Sequence, residues 1–486
     1  MVKAVPTPEE IRAAHPMDKE LQEIKAKRDA EIKKIFTGES DKFIAIIGPC
    51  SADYENSVLD YLCRLAAVAE KIKDKVFVIP RIYTNKPRTN GSGYKGMLHQ
   101  PNPEDKPDFI EGVKAIRKMH IKAIRETGLT AADEMLYTDN WPYLEDILSY
   151  VAIGARSVEN QAHRLTSSGI DVPVGMKNPT SGDFAVMLNS CVAAQAKHTF
   201  LFSGYEAKTD GNPLAHCILR GSLSKSGRSI PNYHYEDLKY LAEAYGKYKL
   251  VNPACIVDAN HNNSGKKWDE QPRIVNEILH SRRHSDEVKH LVKGVMVESY
   301  IEDGNQPIGG GCYGKSITDP CLGWKKTERL LLEMAEQLQG YETAAQEGWD
   351  AMARLKPAFR RMGVVKGCDG AKEQAQAVRK RCKDELDEIG ALLAVSESEQ
   401  LEDLEAMAPA MLALVQLTED FTAAYQAEKV RRNCMDFSDQ EHYAIRLLQG
   451  DDGAPTPLGR QLSGRYREIM VDEYQDTNEV QNCIFR

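Results

Sequence analysis

"FIAIIGPC", residues 43 to 50, is a continuously apolar run closed by Gly48, Pro49 and the thiol of Cys50. A strand with one face in water would alternate apolar and polar side chains. This one does not, so it reads as a strand of a parallel sheet covered on both faces. Seven further runs of the same kind follow: "VFVIPRIY" (76–83), "LTAADEML" (129–136), "YVAIGARS" (150–157), "VPVGMKN" (172–178), "HTFLFSGY" (198–205), "ACIVDANH" (254–261) and "GVMVESY" (294–300). Segments with helical periodicity lie between several of them, such as "DYLCRLAAVAEKI" (60–72) and "WPYLEDILSY" (141–150). Eight strands with intervening helices predict the α/β class and a closed TIM (β/α)8 barrel, preceded by a charged N-terminal helical arm over residues 1–40.

The bulk numbers exclude several classes. The chain has 486 residues, a formal net charge of -9 and 11 cysteines without paired spacing. An acidic balance argues against a protein whose whole surface grips nucleic acid. An odd set of scattered thiols is no secreted disulfide framework. The charged N-terminus lacks the apolar core of a signal peptide, and no apolar run is long enough to span a bilayer. The expectation is a soluble protein of a reducing cytoplasm.

Past about residue 340 the texture changes. "KEQAQAVRKRCKDELDEIGALLA" (372–394) and "LEDLEAMAPAMLALVQLTEDFTAAYQAEKVRRN" (401–433) are long helical patterns, and "SESE" (396–399) offers a capping box from Ser396 to Glu399. The expected organisation is an arm over 1–40, a barrel over 41–340 and a mostly α-helical C-terminal fragment over 341–486.

The ends of the predicted strands carry the chemistry. Cys50, Arg81, Glu134, Arg156, Lys177, His261 and Glu298 sit at or just beyond the C-terminal ends of seven runs, the exception being "HTFLFSGY". In a barrel these ends open on one face. A lone His at a strand end is more often structural, and a lone Cys is usually a small buried hydrophobe. Together with Asp319 of "GKSITDP", however, Cys50, His261 and Glu298 form a mixed sulfur, nitrogen and oxygen set that suits a divalent transition ion, with Mn, Fe, Co and Zn all compatible. "RIYTNKPRT" adds Arg81, Lys86, Arg88 and Thr89, and Arg156, Lys177 and Arg220 lie in apolar or glycine-proline contexts that fit buried anion recognition.

"GGGCYGKS" (309–316) matches G-x-x-x-x-G-K-[ST]. A P-loop needs a strand directly before the glycines and a helix running on from the Lys-Ser pair. Here "EDGNQPI" intervenes and Pro320 would break that helix, so no nucleotide site is expected.

"IGPCS", "RIYTNKPRTNGSGYKG", "IGARSVENQAHR", "VGMKNPTSG", "HCILRGS", "DANHNNSGK", "GVMVESYIEDGNQ" and "YGKSITDPCLGW" resemble the type I 3-deoxy-D-arabino-heptulosonate 7-phosphate (DAHP) synthases over roughly residues 15–338. The resemblance implies a TIM barrel that joins phosphoenolpyruvate to erythrose 4-phosphate, the first step of the shikimate pathway. It implies Cys50, His261, Glu298 and Asp319 as metal ligands, with Cys50, His261 and Lys86 at the catalytic centre. Arg81, Lys86, Glu134, Arg156, Lys177 and Arg220 would line the phosphoenolpyruvate pocket, and Arg88 and Thr89 would grip the aldose phosphate. A homo-oligomer is expected from the family.

"MDFSDQEHYAIRLL" (435–448) and "YREIMVDEYQDTNEVQNCIFR" (466–486) resemble UvrD-like superfamily 1 helicases, and the ATP-dependent helicase/nuclease of bacterial recombination in particular. In a complete helicase Asp472 would help hold magnesium and Glu473 would activate water. The competing function is therefore a helicase/nuclease fragment acting in DNA repair. With no true P-loop, the tail is expected to be a fused fragment with a vestigial motif, whose "REIMV" strand would lack parallel neighbours.

Overall fold

The structure, a computed structural model, describes residues 4–88, 93–339, 348–350, 369–450, 453–472, 474 and 477–485. The chain divides into two compact units, Met1–Gly340 and Tyr341–Arg486. Thr89 and Glu473 lie outside the described residues.

The first unit opens with helices α1 (Pro8–Ala14) and α2 (Lys19–Thr37). Thr7 caps α1 through a reciprocal box with Glu10, and Gly38 ends α2 in the left-handed conformation, φ 84°. Then come β1 (Phe43–Gly48), α3 (Glu55–Ile72), β2 (Val76–Pro80), α4 (Phe109–Thr127), β3 (Ala132–Glu134), α5 (Trp141–Leu144), β4 (Tyr150–Ile153), α6 (Gln161–Ser167), β5 (Val174–Lys177) and α7 (Phe184–Gln195). A hairpin of β6 (His198–Phe202) and β7 (Tyr205–Thr209) precedes β8 (His216–Leu219) and a short ribbon of β9 (Ser222–Leu223) and β10 (Ser229–Ile230). α8 (Tyr235–Lys247), β11 (Cys255–Asp258), α9 (Gln271–His284), α10 (Asp286–Leu291), β12 (Val292–Glu298) and α11 (Trp324–Gln339) complete the unit.

Eight strands form one parallel sheet in the order β2-β1-β12-β11-β8-β5-β4-β3. A parallel bridge from Arg81 to Ala132 joins the two outer members and closes the sheet on itself. The expected TIM barrel is present, with helices on its outside and side chains such as Ile44, Ile46, Ile79, Ala152, Ile218 and Met296 buried together. Gly48 has no room for a side chain: a Cβ there would lie 2.3 Å from the Arg81 carbonyl oxygen.

One strand assignment is corrected. "HTFLFSGY" is not a barrel strand. Its residues alternate between partly buried and exposed, and it pairs antiparallel with β7. Ser203 and Gly204 both take positive φ, 49° and 84°, as a tight two-residue hairpin turn requires. The eighth barrel position belongs to "HCIL", all four residues of which are fully buried.

β8 also carries a titratable group in the core. The His216 ring is fully buried, with Nε2 2.8 Å from the Tyr150 hydroxyl and Nδ1 2.8 Å from the Leu214 carbonyl. Burial pushes its pKa down to about 4. An unfolded imidazole titrates near 6.5, so the stability held by the neutral ring is present above that pH and is lost as pH falls toward 4. Between pH 7 and 4.5 the loss is about 2–3 kcal/mol. Denaturant unfolding at the two pH values should show His216→Gln losing less than the wild type by that margin; equal losses would count against the assignment.

The second unit is helical: α12 (Asp369–Leu392), α13 (Glu397–Arg432), α14 (Phe437–Leu448), α15 (Pro457–Ser463) and α16 (Glu479–Phe485). Ser396 and Glu399 form the expected capping box at the start of α13, and Asn433 ends it at φ 51°. Lys429 ties this end to α14 through Asp436 at 3.3 Å and Asp439 at 2.6 Å. The "REIMV" segment is not a strand: Ile469 and Met470 are exposed, with no sheet in this unit among the described residues to bury them. No described helix is long and apolar enough to cross a membrane.

Candidate active site

All eight barrel strands point their C-terminal ends at one cavity of about 320 Å³. Cys50, Arg81, Lys86, Arg88, Glu134, Arg156, Lys177, Arg220, His261 and Asp319 line it. Glu298 ends β12 at its floor, fully buried.

Three ligand-type side chains meet there. Atoms of Cys50, Glu298 and Asp319 lie within 4.8 Å of one another, and Cys50 Sγ is 3.5 Å from Asp319 Oδ2. His261 stands at the edge of this group, with Nε2 3.9 Å from Glu298 Oε1. It adopts φ 47°, a conformation costly for a residue with a side chain, on the turn that follows β11. That strain is held by the turn's own bonds, in which the Lys266 amide donates to the His261 carbonyl at 2.7 Å and the Asn263 amide donates to that of Asn260 at 3.1 Å.

The acid at the centre is held from several sides. Asn260 Nδ2 donates to Glu298 Oε2 at 2.6 Å, and Gln271 brackets the Glu298 backbone, donating to its carbonyl at 2.9 Å and accepting from its amide at 2.8 Å. Arg81 Nη2 lies 2.9 Å from Glu298 Oε1 and donates to the Cys50 carbonyl at 3.1 Å, while its guanidinium covers the Tyr83 ring at 3.8 Å. The Arg81 contact is close but off the hydrogen-bond axis, so Glu298 Oε1 stays buried with no aligned donor among the described residues. A buried acceptor left in this way is costly unless something positive completes it.

Lys86 adds a second positive charge to the one that Arg81 brings. Its Nζ lies 2.7 Å from Cys50 Sγ and 2.9 Å from Asp319 Oδ2. Burial alone would lower the lysine pKa, but Cys50, Asp319 and Glu298 together raise it, so the amine stays charged. Burial likewise works against the Asp319 carboxylate, yet Lys86 and then Lys266, 3.2 Å from Oδ1, hold its pKa far below the ordinary range. Burial and the Glu298 charge push the Cys50 thiol up, against the pull of Lys86.

Four further basic groups face the cavity, three from other strand ends and Arg88 from the loop that carries Lys86. Lys177 Nζ is bound by Asp258 Oδ2 at 3.1 Å, and the same oxygen lies 2.8 Å from His261 Nδ1. The His261 contact misses the N–H direction, so Nδ1 stays buried without an aligned partner among the described residues. Arg220 is 7% exposed, its Nη1 has no acceptor, and burial lowers its pKa. Arg156 is exposed at the rim, 3.5 Å from the Pro87 carbonyl, and Arg88 Nε donates to the Tyr94 carbonyl at 2.9 Å. Gly154 makes room for Glu134: a Cβ there would meet Glu134 Oε1 at 2.2 Å. The remaining guanidinium and ammonium donors suit an anion with several oxygens.

Sequence reading missed the residues that orient this set. Asp258 and Asn260 stand inside the quoted "DANHNNSGK" motif, where a buried acid at a strand end was a usable signal. Lys266 closes the same motif, but its reach to Asp319 is not written locally, and Gln271 left no signal at all.

The P-loop pattern is a loop. Residues 301–323 contain no helix, and Gly309, Gly311 and Gly314 take positive φ of 73°, 75° and 68°. Ser316 Oγ donates to the Asp319 carbonyl at 2.8 Å and so shapes the turn that delivers that carboxylate. In the second unit Asp472 lies exposed in a turn after residues 468–471, which belong to no helix or strand.

The profile described as the DAHP synthetase I family matches residues 20–332. One relative, "Phospho-2-dehydro-3-deoxyheptonate aldolase, Trp-sensitive" from Enterobacter agglomerans, is 34% identical over 338 residues, 68% of this chain and 94% of its own length. The Phe-sensitive enzyme of that name from Escherichia coli (strain K12) is 36% identical over 317 residues, 63% of this chain and 87% of its own. A solved structure of phospho-2-dehydro-3-deoxyheptonate aldolase from Francisella tularensis SCHU S4 superposes with a TM-score of 0.65 at 30% identity, covering 70% of this chain and 98% of that one. A second profile, the UvrD/REP helicase N-terminal domain, matches residues 229–486. Its overlap with the first match, residues 229–332, folds as β10 to α11 of the first unit, so the helicase likeness rests on the residues beyond 332. The chain belongs to the DAHP synthetase I family and continues into a segment similar to part of a UvrD/REP helicase N-terminal domain.

Proposed function

We propose that this enzyme condenses phosphoenolpyruvate with D-erythrose 4-phosphate and water in a metal-dependent, aldol-type reaction, giving DAHP and inorganic phosphate at the entry to aromatic amino acid biosynthesis. The observation that carries the reading is the meeting of Cys50, Glu298 and Asp319 within 4.8 Å on the floor of a cation-walled cavity. A thiol, two acid groups and a buried oxygen without an aligned donor fit a divalent transition ion. Cys50, Glu298 and Asp319, with His261 beside them, would hold Mn, Fe, Co or Zn. Such an ion, when bound, supplies Lewis acidity toward an aldehyde oxygen.

The chain's own residues account for the rest. Arg156, Lys177 and Arg220 bind the phosphate and carboxylate of phosphoenolpyruvate, with Glu134 and Arg81 shaping that pocket. Arg88 and Thr89 take the aldose phosphate. Holding two repelling anions side by side places the enol carbon against the aldehyde. The methylene carbon of phosphoenolpyruvate forms the carbon–carbon bond, and Lys86 gives a proton to the nascent alkoxide. Water adds at the neighbouring carbon that bears the phosphate oxygen and returns a proton to the Lys86 amine, and cleavage of that carbon–oxygen bond releases inorganic phosphate. Phosphate release from phosphoenolpyruvate should require erythrose 4-phosphate, stop on chelation and return with one of the four metals. Metal-replete protein without that activity would sink the proposal.

We assign residues 1–40 to the arm, 41–340 to the synthase barrel and 341–486 to an inert helicase-like fragment, in a cytoplasmic homo-oligomer. The exposed Leu201 and Tyr205 of the β6–β7 hairpin, 79% and 77% accessible, support association between copies, which light scattering would test. A chain ending at Gly340 should keep synthase activity within about twofold, because the first unit has its own core. The helicase-profile match favours a second reading, a DNA-stimulated ATPase. ATP turnover is expected to be flat with and without DNA; stimulation by DNA would revive that reading.

A further inference from the structure

At the other end of the barrel, a cavity of about 180 Å³ lies beneath the start of β1 and β12. Lys293 is the second residue of β12 and Glu298 its last, so this cavity is about 16 Å from the catalytic floor at strand rise. Its lining carries four cations, Lys42, Arg282, Lys289 and Lys293, against two acids, Asp41 and Asp286, with His290 at the edge. Lys42 is already paired with Glu31 at 3.0 Å, and Glu31 does not face the cavity.

Two of the cations are buried with little to answer them. Arg282 and Lys293 are each 8% exposed. Arg282 Nε has no acceptor, its Nη2 reaches only the Lys289 carbonyl at 3.5 Å, and its guanidinium lies 4.5 Å over the Phe43 ring. Lys293 makes no ion pair among the described residues, and its Nζ is directed at Gly38 on the C-terminal end of α2, 4.0 Å from where a Cβ would stand. The negative end of α2 offsets part of that charge, and the Asp41 carboxylate on the cavity lining offsets part of the charge on both Arg282 and Lys293 without outweighing their burial. Burial lowers both pKa values, Arg282 to about 10, and Arg282 adds to the lowering at Lys293. Two like charges pressed together against a desolvation cost are the arrangement of a binding site rather than of a stabilising core.

We propose that this cavity is a second anion site, distinct from the catalytic mouth, which takes a compact phosphate-type dianion on Arg282, Lys289 and Lys293. The planar guanidinium fork and two ammonium groups match phosphate oxygens, and the volume admits the free ion or the phosphoryl end of a small metabolite.

Position-resolved lysine acylation of the full chain, read by peptide mass spectrometry, tests the site without interference from phosphate held at the mouth. Inorganic phosphate and glycerol 3-phosphate are titrated separately at constant ionic strength, with chloride as control. Either ligand should slow modification of the exposed Lys289 saturably, by about fivefold once it exceeds Kd several times over. Stronger protection by inorganic phosphate assigns the free ion, and stronger protection by glycerol 3-phosphate assigns a phosphoryl end. Lys293→Met should abolish the protection while leaving synthase activity unchanged. Because Arg282→Gln risks misfolding under Phe43, Lys293→Met is the deciding variant, and retained circular dichroism is its control. Equal Lys289 rates in phosphate and chloride, or protection that survives Lys293→Met, overturn the proposal.

Discussion

Cys50→Ala is expected to give a folded chain that retains no divalent ion through desalting and whose synthase kcat/KM falls by about 10³-fold or more, the scale of losing several kcal/mol of Lewis-acid stabilisation. The side chain is 1% exposed and small, so its loss should lower stability by only about 1 kcal/mol. The effect on activity comes from position. Among the described residues Cys50 Sγ is the sulfur in the group that joins Glu298 and Asp319, and it faces both Lys86 and Asp319. Metal content by elemental mass spectrometry and erythrose 4-phosphate-dependent phosphate release are measured on the same preparation. A variant that keeps its ion and loses less than about tenfold in rate would remove Cys50 from the ligand set.

Lys86→Met separates binding of an ion from chemistry. The Lys86 ammonium bridges Cys50 Sγ and Asp319 Oδ2 at 2.7 and 2.9 Å, so it competes for the same negative charge a divalent cation would use. Removing it should leave metal retention intact or tighter. The rate should nevertheless fall by about 10²–10⁴-fold in kcat, the range for a positioned proton donor. A purely electrostatic anchor for phosphoenolpyruvate would instead raise KM and spare kcat. Near-normal kcat with a raised KM would therefore reassign Lys86 to binding, and lost metal would make it part of the cation site's support.

Much of the site was legible before any coordinates. Cys50, Arg81, Glu134, Arg156, Lys177, His261 and Glu298 each follow an apolar run, and a parallel barrel sends all such ends to one face, so chain position predicted convergence. The "HTFLFSGY" run misled because three large apolar residues in a row, Phe200 to Phe202, look alike in a buried strand and in a hairpin that leaves one face open. The deciding clue was the Ser203-Gly204 pair, whose positive φ values turn the chain straight back. "HCIL" is only four residues long, too short to announce a strand, although Arg220 behind it has the residue type and apolar context of an anion-binding group. In the tail, "REIMV" has strand propensity but no neighbour among the described residues to take its backbone hydrogen bonds.

Local chemistry alone determined the barrel class, the helical character of the C-terminal part, and which side chains had metal-ligating or anion-binding potential. These depend on apolar periodicity and residue type, which act over a few positions of chain. Tertiary structure decided which of those side chains meet: that Glu298 Oε1 is left without an aligned donor, that Asp258 serves both Lys177 and His261, and that Arg282 and Lys293 are pressed together beneath the barrel. Distances of that kind depend on register and closure among strands up to 250 residues apart, where a shift of one position would turn each side chain to the opposite face.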